Sequence, residues 1–343
     1  MIQIYNMSHR KEWDEIIKTF PQYDIYYTSG YVRAFEIKGD GEPQLIYYED
    51  NGLRAAYVYL KRKTDIEQTY DSISPYGYGG VIFDGDTKDY KIKEFWKSYL
   101  AKMAEENIID NFVRYHPVID NASLMTKTSE VINLGKTISL DLASQEIIWN
   151  NITSKNRTHI RKAEKNGIII KHGKGMELFR EFMVIYNETM KQDNAEEYYY
   201  FNEDFYESID KDLKDNYEMF WAEYEGKKIA MSIMIFANGH LNYHLSGSMR
   251  EYRNLAPSNL LLYKAAIWGC EQGMKTFHLG GGVGSEEDNL YKFKAAFNRN
   301  SNCHFAISKM IFDKEKYNAL VKKRQKEDTN FNPESSYFPL YRS

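Results

Sequence analysis

The sequence contains few of the residues that cross-link or stiffen a chain. Its 343 residues include two cysteines, Cys270 and Cys303, and only seven prolines. Cys270 falls in an apolar run that we interpret as helical, so we expect two buried, reduced thiols rather than a disulfide. Neither a CxxC nor an HExxH spacing is present. We therefore predict no structural metal site.

Long apolar runs and a strong net charge are also lacking. No run approaches the ~18 apolar residues of a membrane span, and the segment Met1 to Ile16 has no apolar core, so we expect neither a span nor a signal peptide. The formal net charge is -4. A protein that coats nucleic acid needs a basic face, and this charge permits only a local basic patch. We expect a cytoplasmic protein.

Aromatic residues, in contrast, are abundant. The chain has 29 tyrosines and 18 phenylalanines. Many of them suit a hydrophobic core, and an aromatic-lined groove for a sugar or a peptide is the alternative. Hydrophobic residues make up 43% and charged residues 27% of the chain, as in ordinary globular proteins. The length suits two domains.

The first half of the chain has the pattern of one α/β unit. Two strand-like runs flank Asn51-Gly52, a strong hairpin signal. A Gly/Tyr-rich segment, 74–80, follows them. Apolar residues at helical spacing, including Leu100, then predict a helix from Asp89 to about Asn107, and a short strand closes the unit.

The second half repeats this order. Strand-like runs flank Glu225-Gly226 and Asn238-Gly239. A helix is predicted from about Pro257 to Gln272, and the strand Thr276–Leu279 runs into Gly280-Gly281-Gly282. An internal repeat of one α/β unit explains both halves.

Two helices are predicted between the halves, and a tail follows the second half. Ser154 is a plausible N-cap for a helix that ends at Gly167, and Glu177–Met190 is amphipathic. A charged helix is predicted around Tyr317–Lys326. We expect the final residues after it to be loosely held.

The most distinctive candidate site is the glycine run with the segment that follows it. Three glycines after a strand let a ligand approach the backbone closely. The next helical segment carries Lys292, Phe293 and Lys294. Two residues apart on a helix, the lysines point in different directions, so one can face a pocket while the other is solvated. A glycine turn with surface lysines is the alternative.

Two further segments could bind an anion. Arg157, Arg161 and Lys165 fall on one helical stripe and could hold a phosphate, or could form a solvated basic face. Arg253 precedes a helix start whose N–H groups could bind an anion. Simple capping by Ser258 is the alternative at that helix.

A fourth candidate lies on a predicted strand. Alternation along the strand would place Tyr243 and Leu245 on one face, and His244 and Ser246 on the other. No acidic residue stands at a convincing spacing for a Ser-His-Asp array. A hydrolase triad is therefore disfavoured.

Taken together, these segments resemble the FemABX family of non-ribosomal, tRNA-dependent aminoacyltransferases. The resemblance rests on Asn156–Gly167, Tyr243–Ser248, Ala256–Leu260 and Leu279–Phe297. It implies an α/β (α+β) fold of two tandem GNAT-like, that is acyl-CoA N-acyltransferase-like, domains. The stretch Gly167 to Asn216 has no room for a long helical arm, so the chain resembles the compact, arm-less type.

The resemblance also implies a domain division and a reaction. Residues 1–142 would form an acceptor-side domain, 143–308 an acyl-donor domain, and 309–343 a tail that packs back on the first domain. The enzyme would move an amino acid from aminoacyl-tRNA to an amine of a cell-wall peptide or surface-polysaccharide precursor, in a groove between the domains. It would need no cofactor besides this co-substrate, and would be a monomer or weak dimer.

Site residues are implied by the same resemblance. Lys294, after Phe293, would lie beside the tRNA acceptor end and stabilise the developing oxyanion. The substrate would be reached by Tyr76, Tyr78, Arg114, Tyr199, Tyr243 and Ser246. The tRNA phosphates would lie near Arg157, Arg161, Lys165, Arg253, Ser258, Asn259 and Gly281.

The sequence departs from the family pattern at two places. Family members often have an acidic residue where this chain has His116, which we expect to interact with a substrate amine or phosphate. The lysine and tryptophan that family members use to hold a nucleotide-linked sugar are not evident in Ser29 to Ala34. The acceptor could therefore be a different amine, such as an amino sugar.

Two other functions remain open. An acyl-CoA-dependent N-acyltransferase would use acetyl-CoA or another acyl-CoA, and it would bind the pyrophosphate in a glycine-containing turn before a helix. The equivalent segment, Arg253 to Ser258, lacks those glycines, and Pro257 removes one N–H donor. A non-catalytic binding module is the third possibility.

Overall fold

The computed structural model describes residues 2–343, which form two compact units. The first contains the chain up to Leu134 together with Phe305–Ser343, and the second contains Gly135–His304. Both divisions come earlier than the expected boundaries after residues 142 and 308. Backbone pairing explains the difference, because Ile138–Asp141 pairs with a strand of the second unit and Ile307–Ile311 with a strand of the first.

The first unit begins with a mixed sheet. Its elements are β1 (Ile2–Tyr5), α1 (Arg10–Lys18), α2 (Ser29–Lys38), β2 (Glu42–Asp50), β3 (Leu53–Lys63), β4 (Tyr70–Ile73), β5 (Ile82–Gly85), α3 (Asp89–Glu105), β6 (Ile108–Arg114) and α4 (Ala122–Met125). The strands lie in the order β1-β2-β3-β4-β6, with β5 beside β3. Only β4 and β6 are parallel to each other. The predicted hairpin at Asn51-Gly52 is confirmed, with positive φ at both residues.

Helix α3 packs its predicted apolar face on this sheet, with one exception. Ile92, Phe95 and Met103 are buried as expected, whereas Leu100 is 39% exposed. Its place is taken by Tyr99, one turn after Phe95. The Tyr99 hydroxyl accepts a hydrogen bond from Asn111 Nδ2 at 2.7 Å, which allows a polar ring to be buried at this position.

The second unit has a mixed sheet of its own. Its elements are β7 (Ile132–Asp141, which begins just before the division), α5 (Gln145–Asn151), α6 (Ser154–Lys165), β8 (Ile169–Gly173), α7 (Met176–Gln192), α8 (Glu203–Asp212), β9 (Tyr217–Tyr224), β10 (Lys227–Ala237), β11 (His240–Ser248), α9 (Pro257–Glu271), β12 (Thr276–Gly280) and α10 (Asn289–Ala295). The strand order is β7-β12-β11-β10-β9-β8, and only β11 and β12 are parallel.

Helix α6 begins one residue from the expected position. Thr153 rather than Ser154 is the N-cap, and its hydroxyl accepts a hydrogen bond from Asn156 N at 3.4 Å. Gly167 follows the helix with φ 81°, as the sequence predicted. Helix α9 packs against β9, β10 and β11, while α7 packs against β10 and β11.

The chain then returns to the first unit through β13 (Cys303–Ile311) and α11 (Lys314–Glu327), which lead into a tail, residues 328–343. β13 pairs antiparallel with β6. The expectation of a loosely held end is wrong, because Tyr341 is only 9% exposed and bonds to buried carboxyls of β4 and β6. Cys270 and Cys303 form no disulfide, and both are partly buried. None of the helices in residues 2–343 has the length and apolar character to cross a bilayer.

Candidate functional site

The candidate site in the second unit lies where two parallel strands, β11 and β12, separate. β11 and β12 pair only through His240–Asn242 and Thr276–His278. Beyond these residues β11 continues to Ser248, whereas Gly280 of β12 pairs with Ile138 of β7. Beyond these residues, the backbones of β11 and β12 no longer pair with each other.

The glycine run after β12 folds against its own unit. A Cβ on Gly281 would lie 2.9 Å from the Lys136 carbonyl oxygen, and one on Gly282 would lie 2.1 Å from that of Glu286. Gly280 itself has φ 78°. Close backbone packing therefore requires glycine at these positions.

Lys294 of α10 packs against this glycine segment. Its side chain is buried, at 9% exposure, and Nζ donates a 2.7 Å hydrogen bond to the Gly281 carbonyl oxygen. Lys292, two residues earlier, is exposed. The alternative of a glycine turn with surface lysines thus describes Lys292 but not Lys294.

The burial of Lys294 changes its charge equilibrium. Desolvation lowers the pKa of the Lys294 ammonium to about 8, although the negative charge of Asp288 opposes the effect. At neutral pH the group is mostly protonated and has further N–H donors besides the one held by Gly281. Because the ammonium already carries its proton at neutral pH, it can stabilise a negatively charged oxygen without first taking up a proton.

Asp288 and Phe293 hold α10 in place. Asp288 is the N-cap, and its two carboxylate oxygens accept hydrogen bonds from Tyr291 N at 2.8 Å and Val283 N at 3.3 Å. The partly buried Phe293 ring packs edge-on against the buried Phe297 at 5.5 Å. Asp288 was missed by the sequence analysis, although an acidic residue before a short helix is a typical N-cap signal.

Tyr243 and Ser246 do not lie on opposite faces of β11 as alternation predicts. The register skips His244, since Leu245 pairs with Ile233 and Tyr243 with Met234. His244 is thus the extra residue of a β-bulge. Burial raises the pKa of Tyr243, and the nearby side chains of Ser246 and Ser232 oppose that increase. A bulge shifts the period of side chains, and strand alternation cannot anticipate it.

Two basic residues of α6, Arg157 and Arg161, contact Trp149. Arg157 Nη1 donates to the Trp149 carbonyl at 3.2 Å, and the Arg161 guanidinium lies 5.1 Å from the centre of the Trp149 ring. Lys165 is exposed one turn further along the helix. This face combines cations with an indole, an arrangement that suits phosphate groups and stacked bases.

The start of α9 lies against α6. Ala256 is its N-cap with φ 60°, and no side chain caps the helix, so the alternative of capping by Ser258 is wrong. Asn259 Nδ2 donates to Asn156 Oδ1 at 2.7 Å. Lys162 Nζ donates to the carbonyl of Asn254 at 2.7 Å, beside the exposed Arg253.

Asn156 was not anticipated as part of this group. It is 2% exposed, and its Nδ2 atom has no hydrogen-bond partner among the described residues. A buried N–H donor beside the uncapped start of a helix suits an anionic ligand. The structure therefore brings Arg157, Ser258 and Asn259 into one region of the second unit.

Tyr199 lies elsewhere in the second unit, in the turn Glu197–Tyr199. Its ring is partly exposed at 36%, and its carbonyl accepts a 3.0 Å hydrogen bond from the Tyr186 hydroxyl. Tyr198 and Tyr200 have similar exposure. A substrate contact by Tyr199 stays a prediction.

The predicted acceptor residues of the first unit form a partly exposed group. Arg114 Nη1 donates to the Ser74 carbonyl at 3.2 Å, which ties β6 to the segment carrying Tyr76 and Tyr78. The Tyr76 ring stacks on Phe35 at 5.8 Å. The structure thus brings Tyr76, Tyr78 and Arg114 together, and leaves surfaces of all three accessible.

His116, in contrast, does not reach the surface. It is fully buried, Nε2 lies 2.9 Å from Asp24 Oδ2, and Nδ1 accepts from the N–H groups of Val118 and Ile119. Both ring nitrogens are used within the protein, so the expected contact with a substrate is not supported. Asp24 is separated from His116 by 92 residues, and no sequence pattern signals the pair.

Comparison with known proteins shows which fold this is. The family model Acetyltransf_6, described as an acetyltransferase (GNAT) domain, matches residues 153–294. The crystal structure of FemX superposes with a TM-score of 0.68 at 14% identity, over 92% of this chain and 99% of FemX. The chain has a FemX-like tandem GNAT fold. This confirms the predicted fold class.

Other solved structures share this FemX-like fold. A conserved protein of unknown function from Bacteroides thetaiotaomicron matches with a TM-score of 0.58 and 12% identity, over 91% of this chain and 100% of that one. The C-terminal domain of a putative lysylphosphatidylglycerol synthetase from Agrobacterium fabrum matches at 0.56 and 13%, over 88% and 92%. No curated protein sequence matches the chain.

The FemX-like fold thus presents two kinds of binding group in its second unit. One is the buried ammonium at the end of β12, which can hold an oxyanion. The other is the cationic region of α6 and α9, which can hold phosphates. Among residues 2–343, no cluster of His, Cys, Asp and Glu side chains has a geometry that could hold a metal ion.

Proposed function

We propose that the protein is an N-acyltransferase that moves an amino acid from aminoacyl-tRNA to an amine of a cell-wall peptide or surface-polysaccharide precursor. The observation that carries the proposal is Lys294, a buried ammonium held by Gly281 where β11 and β12 part. The GNAT domain match and the FemX-like fold support acyl transfer. The donor and the acceptor are parts of the proposal.

The reaction needs little covalent chemistry from the protein. The acceptor amine attacks the ester carbonyl, its nitrogen forms the new amide bond, and the ribose oxygen leaves with the proton that the amine loses. The carbonyl oxygen carries negative charge at the tetrahedral stage. Lys294 would stabilise that charge, and removing one such donor typically costs 10²–10³ in rate.

The donor side of the proposal rests on α6 and α9. The cations on α6 and the uncapped start of α9 would hold phosphates near the acceptor end of the tRNA, and the Trp149 platform would suit a base. Tyr243 and Ser246, beyond the parting of β11, would contact the aminoacyl group.

The alternative donor is an acyl-CoA. The match to a domain described as an acetyltransferase favours it, as does the absence of a capping side chain at α9, where a pyrophosphate could bind. Pro257 at the first position of α9 removes one N–H donor from such a site.

Product analysis separates these functions. The protein would be incubated with a charged tRNA pool or with acetyl-CoA, together with amine acceptors of two classes: a lysine-containing stem peptide and an amino sugar. We expect, by mass spectrometry, an aminoacyl adduct with tRNA and none with acetyl-CoA. Product only with acetyl-CoA would overturn the tRNA proposal, and no product with either donor would favour a binding module.

Lys294 can be tested against a neighbouring lysine. Lys294→Met should lower the rate about 10²-fold or more because the oxyanion loses its donor. Lys292→Met, two residues away on the exposed side of α10, is the matched control and should retain the rate. Full activity of Lys294→Met would remove this lysine from the mechanism.

A further inference from the structure

Buried charges join the C-terminal tail to the sheet of the first unit. Asp71 on β4 is fully buried, and its Oδ1 accepts from Arg62 Nε at 2.6 Å. Its Oδ2 accepts from Arg342 Nε of the tail at 2.5 Å. Arg342 also donates to the carbonyl of Lys63 at 2.7 Å. Two guanidinium groups therefore hold Asp71 as a carboxylate.

A second buried carboxyl shares a hydroxyl with the first. The Tyr341 hydroxyl oxygen lies 2.9 Å from Asp71 Oδ2 and 2.7 Å from Asp110 Oδ2. A hydroxyl has one hydrogen and can donate it to only one of the two. If Tyr341 donates to the ionised Asp71, the contact with Asp110 is a hydrogen bond only when Asp110 carries a proton and donates it. Asp110 Oδ1 is buried and has no hydrogen-bond partner among residues 2–343. Within these residues, the Tyr341 hydroxyl is therefore the one hydrogen-bond partner of the Asp110 carboxyl.

We propose that the tail, residues 328–343, is a proton-linked latch whose docking depends on a proton held by the Asp110 carboxyl. The proton completes a chain of hydrogen bonds from Asp110 to Tyr341 to Asp71. Without it, two carboxylates face one hydroxyl in a buried site, and their mutual repulsion weakens the docking of the tail. The inference does not depend on the acyl-transfer function proposed above.

The groups around Asp110 agree with this assignment. Burial, with the charge of Asp71, raises the pKa of Asp110 to about 7, and Tyr341, Arg62 and Arg342 oppose the increase. From α11, Tyr317 also interacts with Asp110. Release of the tail would hydrate Asp110 and lower its pKa toward the ordinary aspartate value of about 3.9. The docked state therefore binds the extra proton between these two values, and docking weakens as the pH rises through that range.

The latch touches the strand that carries a candidate substrate residue. Phe338 of the tail packs on the Phe112 ring of β6 at 6.1 Å, and the Arg114 guanidinium lies 4.8 Å from the centre of that ring on the same strand. Release of the tail would uncover the Phe112 ring beside Arg114.

Hydrogen exchange of the full-length protein tests the latch. The amides of Leu340, Arg342 and Ser343 are hydrogen-bonded to Tyr317 Oη and to the tail itself. Exchange would be followed by mass spectrometry from pH 5 to 8 and corrected for the intrinsic effect of pH. We expect the opening constant of the tail to rise by as much as ~50-fold from pH 5 to 7 and by about twofold more to pH 8. One proton gives at most tenfold per pH unit, and half of the Asp110 carboxyls have lost theirs at pH 7.

Asp110→Asn is the decisive variant. Its amide can donate to Tyr341 at every pH, so tail exchange should become nearly independent of pH, while a β10 peptide serves as a control. A wild-type tail whose corrected exchange does not change with pH would overturn the proposal, as would an unchanged pH dependence in the variant. Carboxyl carbon NMR of the wild-type protein gives a second measurement: titration of Asp110 near 4 with the tail protected also contradicts it.

Discussion

Lys294 illustrates how one residue can be recognised in a sequence without its environment being known. Its place after a strand, three glycines and a phenylalanine pointed to an acyl-donor site. The sequence could not decide which of two lysines faced inward, because helix phase within so short a segment depends on its cap. Asp288 sets that phase, and burial of Lys294 follows from it.

The buried ammonium of Lys294 predicts a specific dependence of stability on pH. Its pKa is lowered in the folded state to about 8, so below that pH the folded protein bears the desolvation cost of the charge. Between pH 8 and about 10 the unfolded chain binds more protons, and stability rises with pH. Lys294→Met lacks this charge and should be more stable near pH 7, by at most ~3 kcal/mol.

Urea unfolding at pH 7 and at pH 10 measures this effect. The advantage of Lys294→Met over the wild type should shrink between the two pH values, because the wild-type lysine becomes neutral. An advantage that stays constant or grows would show that burial does not lower the pKa of this lysine.

The buried pair of His116 and Asp24 gives a second prediction at the scale of single residues. Since both are fully buried, His116→Ala removes the group 2.9 Å from Asp24 Oδ2, while Asp24 Oδ1 keeps its hydrogen bond from Ile25 N. Loss of one partner of a buried polar group typically costs about 1–3 kcal/mol. We expect faster hydrogen exchange in the strands of the first unit and little change in β9 or β10. Unchanged exchange in the first unit, combined with lost activity, would instead return His116 to the catalytic residues.

At the scale of elements, local sequence signals predicted hairpins and helix starts well. Features that depend on residues distant in the sequence were not predicted. The Asn51-Gly52 and Glu225-Gly226 hairpins have the positive φ values that those pairs favour, and the start of α9 is fixed by Pro257. The bulge at His244 depends on the neighbouring strand β10. The tail is ordered by the carboxyls of Asp71 and Asp110, which lie more than two hundred residues earlier. For this reason, the composition of the tail alone did not indicate that it is ordered.

The N-cap of α10 gives a prediction at this scale. Asp288→Ala removes both hydrogen bonds from the segment that positions Lys294 and should cost about 1 kcal/mol in the free energy of unfolding. Asp288→Asn keeps an acceptor for Tyr291 N and should cost much less. Chemical unfolding at pH 7 compares the two, and equal losses would mean that charge rather than capping holds the helix.

At the scale of the whole molecule, the repeat of one α/β unit was visible in the sequence, whereas its exact division was not. The order of hairpin, helix and closing strand recurs in both halves and agrees with the FemX-like tandem fold. The division falls inside β7 and β13 because strand pairing, which the sequence does not display, assigns their residues to a unit.

The return of β13 to the first unit has a consequence for the order in which the protein can fold on the ribosome. Nearly all of the second unit is synthesised before β13, whereas β6, which already pairs with β4, receives its second neighbouring strand only afterwards. Domains generally fold as they emerge, so the second unit can complete its sheet while β6 is still an open edge. During that interval β6 is exposed to pairing with other chains, and this nascent stage is where we expect the protein to need a chaperone.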